Sequence, residues 1–524
     1  MVKFFTDIKG QFSEYLSDEA DLIKNGKASR IYFPKDSHEV KIILKEAFDS
    51  KTPVTISGGG TGLSGGRVPL EGWILATNNL KSINQADREM WTDPETNIEY
   101  GLKLNIINNR DARLIVPVSM TVKAIQNYTK EKGWFYPPDP TERTCFIGGN
   151  LNTNASGART FKFGPTRNWI QSLEVILIDG TIFCLDRSIS NGHITDKEIM
   201  INQNNKFLKI PRPTFKSPNV LKNVAGPLIN NNSHVIDTFI GTGGLFGVTT
   251  QVTLKLIREP QEIVSIFVFC KTMEQVYSVI RVCQKNRESK SNPIAMAVEF
   301  LDLRAIKIMH EADNTLSLDN VALLIIEQDA ESQDEMEEAI MYWIDLFEKY
   351  GIEETKVAQT SKEIEIFKKL RHMIPERINS MVKQNNQPKI GTDFSVPPQY
   401  LEEFFQLAKN YGEEFEKYQN NNIPMQNRIG YAIWAHAGDT HIHLNLIPRD
   451  EIETNYAKTL FLKFIKKTVE LGGSIAAEHG LGKKKFDGKA ALYYQYGQEG
   501  LDQIKAMKLA IDKFDLLNRG NLIG

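Results

Sequence analysis

From about residue 30 the chain alternates short apolar runs with amphipathic stretches. Ile31–Phe33 reads as a strand, and residues 37–49 repeat apolar positions three and four apart, which predicts a helix. Ser37, followed by Glu39 and Lys41, supplies a helix start signal, and Pro53–Ile56 predicts the next strand. The glycine-rich run SGGGTGLSGG follows, then GWILATNNL as another strand. Residues 84–111 are polar and read as an irregular insertion, whereas TVKAIQNYTKEKG predicts a helix stopped by Gly133. Residues 134–168 are rich in Gly, Pro and Asn and read as a loop. Residues 172–185 read as a hairpin about Asp179-Gly180, and 190–234 as a polar connection. Another glycine-rich turn, GTGGLFG, leads into the strand run VTTQVTLKLI.

The pattern changes at Arg258-Glu259-Pro260. From 262 to 450 strands alternate with long amphipathic helices, which predicts a second α+β unit. The 524 residues are 41% apolar and 24% charged, enough for more than one core, with a net charge of −2 that gives no argument for nucleic acid. Four cysteines lack ligand spacing and read as reduced thiols of a cytoplasmic protein. The start of the chain lacks a signal-peptide core, and no run of about 18 apolar residues predicts a membrane span. Peripheral contact at the inner face of a membrane stays open on these grounds.

The glycine run contains a literal GxGxxG at Gly60, Gly62 and Gly65, but its context refuses a Rossmann reading. That motif needs a following helix and an acidic residue about 20 positions on. Here Val68-Pro69 and a strand follow, and positions 78–79 are Asn-Asn. No Gly-Lys-Ser/Thr closes the segment as a P-loop would. Six glycines within 58–66 are wasteful for a plain turn and suit a nest of backbone amides for a phosphate or dinucleotide.

Three of the nine histidines, His436, His441 and His443, fall in HAGDTHIHLN. A strand, a Gly438-Asp439 turn and a second strand would put His441 and His443 on one face, with His436 approaching from across the turn. GGSIAAEHGLG adds Glu478 and His479. Two imidazoles and a carboxylate form a common divalent-metal set with room for substrate. Solvated loop histidines are the plainer alternative for any one of them, and KKK at 483–485 reads as a solvated face.

Three ordered motifs, SGGGTGLSGG, PPDP…IGGNLNTNASG and GTGGLFGVTTQVTLKL, together resemble the FAD-binding half of the vanillyl-alcohol-oxidase/para-cresol-methylhydroxylase flavoproteins. Within that family the chain is most similar to the FAD-linked 2-hydroxyacid dehydrogenases of D-lactate, glycolate and D-2-hydroxyglutarate type. The resemblance runs from about residue 30 to the C-terminus. It implies an α+β architecture: a two-part FAD-binding domain at 1–258, an α+β substrate domain with an antiparallel sheet at 259–475, and a segment at 476–524 returning to the FAD domain. It implies that Gly58, Gly59, Gly60, Thr61, Gly62, Leu63 and Ser64 wrap the FAD pyrophosphate. Pro138, Asp139, Thr144, Gly148, Gly149, Asn154, Gly157, Val248 and Asn518 would complete the cofactor site. With no histidine in the first loop, non-covalent FAD is expected. The family's Gly-Ser-Glu-Gly is here Gly241-Thr242-Gly243-Gly244, and Val118 stands where glycine is usual.

The resemblance also implies that His436, His443 and Glu478 hold a divalent metal, with zinc expected, and that Asn445 and His479 face the substrate. Positions 440 and 441 are Thr and His where the resembled motif has Gly and Asn, so His441 stands outside the implied set as a supporting neighbour or an incidental residue. Arg371 would grip the substrate carboxylate, with Arg377 as a rival and Lys389 a weaker candidate. The implied reaction is metal-assisted transfer of the C2 hydride of a 2-hydroxy acid to flavin N5, with His479 as base. Electrons would then leave to an unidentified acceptor, since no CxxC-type cluster motif exists. Three alternatives share the fold or part of it: an alkylglycerone-phosphate-synthase-like FAD transferase, a sugar-lactone or alcohol oxidase, and a non-catalytic flavin subunit. The first resembles His-His-His where this chain has Ala477-Glu478-His479, and the second needs neither metal motif.

Overall fold

A computed structural model describes residues 2–20, 22–23, 25–311, 313–314, 316–422 and 429–524. The N-terminal part is built on two sheets. The smaller runs in the order Phe4–Phe5, Arg30–Tyr32, Trp73–Ala76, Val54–Ser57, and its last three strands are parallel. The helix Ser37–Ser50 makes the crossover between two of them and buries Val40, Ile43, Leu44 and Ala47. Its cap is Asp36 rather than Ser37: the Asp36 carboxylate accepts the Glu39 N–H at 2.8 Å. Both residues are good caps, and the extended backbone falls at Asp36.

The larger sheet is antiparallel, in the order Ile182–Asp186, Ile170–Ile176, Val248–Arg258, Asp111–Pro117, Glu99–Ile106, Glu89–Thr92, with Trp134–Phe135 paired alongside Val248–Arg258. The expected hairpin about Asp179-Gly180 forms. The expected insertion at 84–111 is corrected, because Glu89–Thr92 and Glu99–Ile106 close one side of this sheet. Their alternation is masked because Glu89–Thr92 forms the open edge with no buried residue, and Glu99–Ile106 beside it buries only Tyr100–Leu102. The 134–168 loop contains the helices Ile147–Thr153 and Thr160–Phe163. The first reads IGGNLNT, whose intrinsic helix propensity is low, so burial of Ile147 and Leu151 holds it. The polar 190–234 stretch contains a three-stranded antiparallel sheet, Gly192–Ile194, Glu198–Gln203 and Lys206–Pro211.

Beyond Pro260 an eight-stranded antiparallel sheet forms, in the order Glu354–Ala358, Glu262–Cys270, Ala322–Ala330, Ala297–Asp302, Tyr431–His436, His441–Leu446, Ile390–Gly391. Phe394–Ser395 also pairs with His441–Leu446. Apolar cores fill both faces: Val268, Trp343 and Phe464 lie in one, Phe267, Ile306 and Ile374 in the other. The architecture is thus α+β throughout. The C-terminal helix Ala491–Ile511 and the tail bury Leu492, Ile504, Leu516 and Leu517 in the core of the N-terminal sheets. All four cysteines are free. Among the described residues no helix is long and apolar enough to cross a membrane.

Candidate active site

Strand register assembles the site. His436 ends one strand and pairs with His441 at the start of the next, while Glu299 on the neighbouring strand lies opposite His436 and Ser395 opposite His441. Residues directly opposite share a face, so Glu299, His436 and His441 form one row. His443 and Asn445 follow on that face at the two-residue period. Ser474 pairs its backbone with Ser395, and the Ala477 N–H donates to Asp393 O at 2.9 Å, which lays Ser474–His479 beside the hairpin. The Asp393 carboxylate then accepts the N–H groups of Glu478 (3.1 Å) and His479 (2.9 Å).

Each buried imidazole is oriented by its outer nitrogen. His436 Nδ1 donates to Glu299, His443 Nδ1 donates to the Thr392 carbonyl at 3.0 Å, and His441 Nε2 donates to Asp393 at 3.0 Å. The inner nitrogens converge on Glu478: His436 Nε2 lies 3.3 Å from Oε2, His443 Nε2 3.2 Å from Oε1, and His441 Nδ1 4.0 Å from Oε2. One ligand atom from each of these four residues lies within 4.8 Å of the others. Imidazoles fixed from behind by a carboxylate or carbonyl, with free lone pairs meeting at one carboxylate, are suited to a divalent cation. Two orphaned groups agree with that fit: His441 Nδ1 and both Asp439 carboxylate oxygens are buried without a hydrogen-bond partner.

The electrostatics follow from burial and pairing. Burial alone would raise the Glu299 carboxyl, but Arg371 and then His436 bring it down to about 2. Burial would likewise raise Glu478, and Lys222 with His436 holds it well below the carboxylate range. Asp393 is also held low, because His479 and His441 outweigh its burial. Burial and the neighbouring His443 push His441 down to about 3, which keeps it neutral. Burial would lower His436, but Glu299 raises it. Lys222, fully buried, contacts Glu478 Oε2 at 3.0 Å and Asp439 at 3.8 Å.

His479 differs from the other three. Its side chain is 34% exposed, it stacks on His443 with ring centroids 5.3 Å apart, and its Nε2 lies 3.4 Å from Glu478 Oε1. Arg371, on the long helix Ser361–Asn385, ion-pairs with Glu299 and lines a cavity of about 60 Å³ with Asp139, Arg143, Glu327 and Lys368. Arg377 pairs instead with Glu311, away from this row, and Lys389 lies over the Trp434 ring. Asn445 is buried, with its amide donating to the His443 carbonyl at 3.2 Å.

The glycine run lies against the same segment. Lys483 N–H donates to Ser64 O at 2.8 Å, and an added Cβ at Gly480 would touch Thr153. An added Cβ at Gly58, Gly62 or Gly149 would meet no atom within 4 Å, so these positions border open space that a close-fitting dinucleotide can use. Gly59 packs against Phe146, Gly60 is crowded by Arg67, Thr61 and Leu63 border solvent, and Ser64 is buried. Gly148 is closed by Val118, whose bulk it accommodates. Pro138 is buried, Asp139 faces Arg159 and Arg143 at 3.7 Å, and Thr144 is exposed beside Glu142. Asn154 spends its side chain on Arg167 N–H and the Asn223 carbonyl, and Val248 is core. Asn518 accepts the Ile56 N–H at 2.7 Å and donates to Gly243 O at 2.9 Å.

The solvated reading of KKK is corrected at Lys483, while Lys485 is exposed. Lys483 is buried and donates to Gly65 O, Gly66 O and Asn521, and burial pushes it down to about 8. Lys222, Glu299, Thr392 and Asp393 were not singled out as site residues from the sequence. They lie far along the chain from the histidines they serve: strand register sets Glu299 opposite His436, whereas Lys222 comes from a loop, and its carbonyl accepts from the Ser395 hydroxyl at 2.7 Å.

Residues 259–522 match the family of FAD linked oxidases, C-terminal domain, and residues 28–186 match the FAD binding domain. The chain belongs to the FAD-linked oxidases, which makes it a flavoprotein oxidoreductase. It is 28% identical to a D-lactate dehydrogenase of Archaeoglobus fulgidus, covering 94% of this chain and 90% of that protein. It is 26% identical to the glycolate oxidase subunit GlcD of Bacillus subtilis, covering 93% and 87%. Among solved structures it resembles alkyldihydroxyacetonephosphate synthase with a TM-score of 0.63 at 14% identity, over 98% of this chain and 81% of that one, a likeness of fold alone.

Proposed function

We propose that the protein oxidises a D-lactate-like 2-hydroxy acid to the 2-oxo acid, with non-covalently bound FAD and a divalent cation at His436, His443 and Glu478. The observation that carries this reading is the convergence of inner imidazole nitrogens on Glu478, in a segment hydrogen-bonded to the glycine run. When bound, FAD supplies a two-electron sink for the C2–H bond and the cation supplies Lewis-acid polarisation of the 2-hydroxyl. Arg371 spends part of its guanidinium on Glu299 and lines the cavity, so its remaining N–H donors are available for the substrate carboxylate. His479, the exposed imidazole of the cluster, receives the hydroxyl proton at Nε2. The Asp393 carboxylate, 3.9 Å from His479 Nδ1, stabilises the imidazolium that results. Electrons leave to an acceptor on another molecule.

The FAD-loaded protein is expected to bleach on anaerobic addition of D-lactate, glycolate or D-2-hydroxyglutarate and to pass electrons to a dye. His479→Ala is expected to keep its flavin spectrum and lose turnover at least 100-fold, the scale of a removed general base. No bleaching with any of the three acids removes the dehydrogenase reading, and undiminished turnover in His479→Ala removes the base.

A further inference from the structure

We infer that His441 is a fourth protein donor to the divalent cation, so that this chain grips it with three imidazoles and one carboxylate. The inference deepens the metal-dependent reading proposed above and rests on it. His441 is fully buried, and its Nε2–H is committed to Asp393 at 3.0 Å. That leaves its Nδ1 lone pair inside the cluster, 4.0 Å from Glu478 Oε2 and with no hydrogen-bond partner.

A buried acceptor left without a partner is costly, so an incidental histidine here would be disfavoured unless something occupies that lone pair. The arrangement repeats what is seen for His436 and His443: outer nitrogen anchored to an oxygen, inner nitrogen aimed at Glu478. Asp393 serves two purposes, because the carboxylate that fixes His441 also holds the Glu478 N–H, locking ligand and ligand to one anchor. The charged groups facing the cluster are Asp393, Glu299, Asp439, Lys222 and, through Glu299, Arg371. Lys222 donates to Glu478 Oε2 at 3.0 Å, and its charge acts against protonation of both His436 and His441, which favours the unprotonated imidazoles a cation needs.

Three nitrogen donors and one carboxylate suit a borderline cation such as Zn(II) and disfavour Mg(II) and Ca(II), which take oxygen sets. A four-donor set is also closed for a tetrahedral ion, so substrate access would require an added coordination position or release of one donor.

Zinc-edge X-ray absorption on the full-length protein loaded with FAD and Zn(II) counts the imidazoles directly. Three are expected in the wild type and two in His441→Asn, which places at this position the asparagine of the resembled motif. In chelator competition His441→Asn is expected to hold Zn(II) at least about tenfold more weakly, with its flavin spectrum retained. Two imidazoles in the wild type overturn the assignment of His441 while leaving the metal-dependent reading intact, and this measurement needs no variant to fold. Equal Zn(II) affinity in a folded His441→Asn likewise overturns it. A wild type that takes up no stoichiometric Zn(II) overturns the metal reading and this inference with it.

Discussion

A methyl group added at Gly157 would lie 1.9 Å from the Asp139 carbonyl oxygen, whereas one added at Gly149 would meet no atom within 4 Å. The two glycines belong to one motif and answer to different constraints. Gly157 permits two stretches of backbone to touch, while Gly149 borders open space that is proposed to take FAD. Gly149→Ala lies in the helix Ile147–Thr153, where alanine gains about 0.5–1 kcal/mol, so the flavin-free protein should melt slightly higher. Its FAD occupancy after dialysis should nonetheless fall below wild type. Gly157→Ala should lose about 3 kcal/mol of stability through a clash with rigid backbone, whether or not FAD is present. Thermal melts with and without flavin separate the two, and full FAD occupancy in Gly149→Ala would move the cofactor away from that helix. At this scale the histidine hairpin was legible, because two-residue alternation fixes which side chains share a face. Glu299 and Lys222 were not, since no local spacing ties residue 299 to 436 or residue 222 to 478.

Helix Leu303–His310 begins at Asp302, whose Oδ1 accepts the Ala305 N–H at 2.9 Å while its Oδ2 is buried without a partner. Burial raises this carboxyl to about 6, against the lowering effects of the Ala305 bond and Arg304. An unfolded aspartate titrates near 4, so between about pH 4 and 6 the folded chain keeps a proton that the unfolded chain has released. The group's contribution is therefore full below about pH 4 and is lost as pH rises through 6, on the order of 2–3 kcal/mol. Asp302→Asn keeps the cap acceptor and removes the charge. Denaturant titrations at pH 4, 5, 6 and 7 should show wild type losing stability relative to Asp302→Asn across this range, and parallel curves would refute it. Elements with strong internal patterns were read directly, including the crossover helix and the hairpin about Asp179-Gly180. The edge strand Glu89–Thr92 and its neighbour Glu99–Ile106 were missed because the edge strand buries no residue and its neighbour buries only Tyr100–Leu102, so neither shows a full apolar alternation.

Across the whole molecule the two ends of the chain depend on each other. The tail extends the first sheet: Val54 N–H donates to Leu516 O at 2.8 Å and Asn518 N–H donates to Val54 O at 2.8 Å. The Asn518 side chain then ties Ile56 to Gly243, and Lys508 Nζ donates to both Leu245 O and Leu517 O at 2.8 Å. The tail therefore clamps the strand that enters the glycine run to the third glycine-rich turn, and the preceding Lys483 grips the run itself. The resemblance implied that the C-terminal segment returns to the flavin half, but the bonds that make it structural appear only once the chain is folded. Removing residues 516–524 would delete this clamp and leave the buried pairing of Val54–Ser57 open on one side. The expected product has no retained FAD. Its amide hydrogens over 30–76 should exchange fast, while those of the eight-stranded sheet at 262–446, whose strands do not pair with the tail, stay protected. Asn518→Ala should show the same polarity in milder form, losing about 1–3 kcal/mol from the orphaned Ile56 N–H. A truncated chain that retains FAD at wild-type occupancy would show that the glycine run holds its shape unaided. Loss of protection in both regions would show that the two parts unfold as one unit.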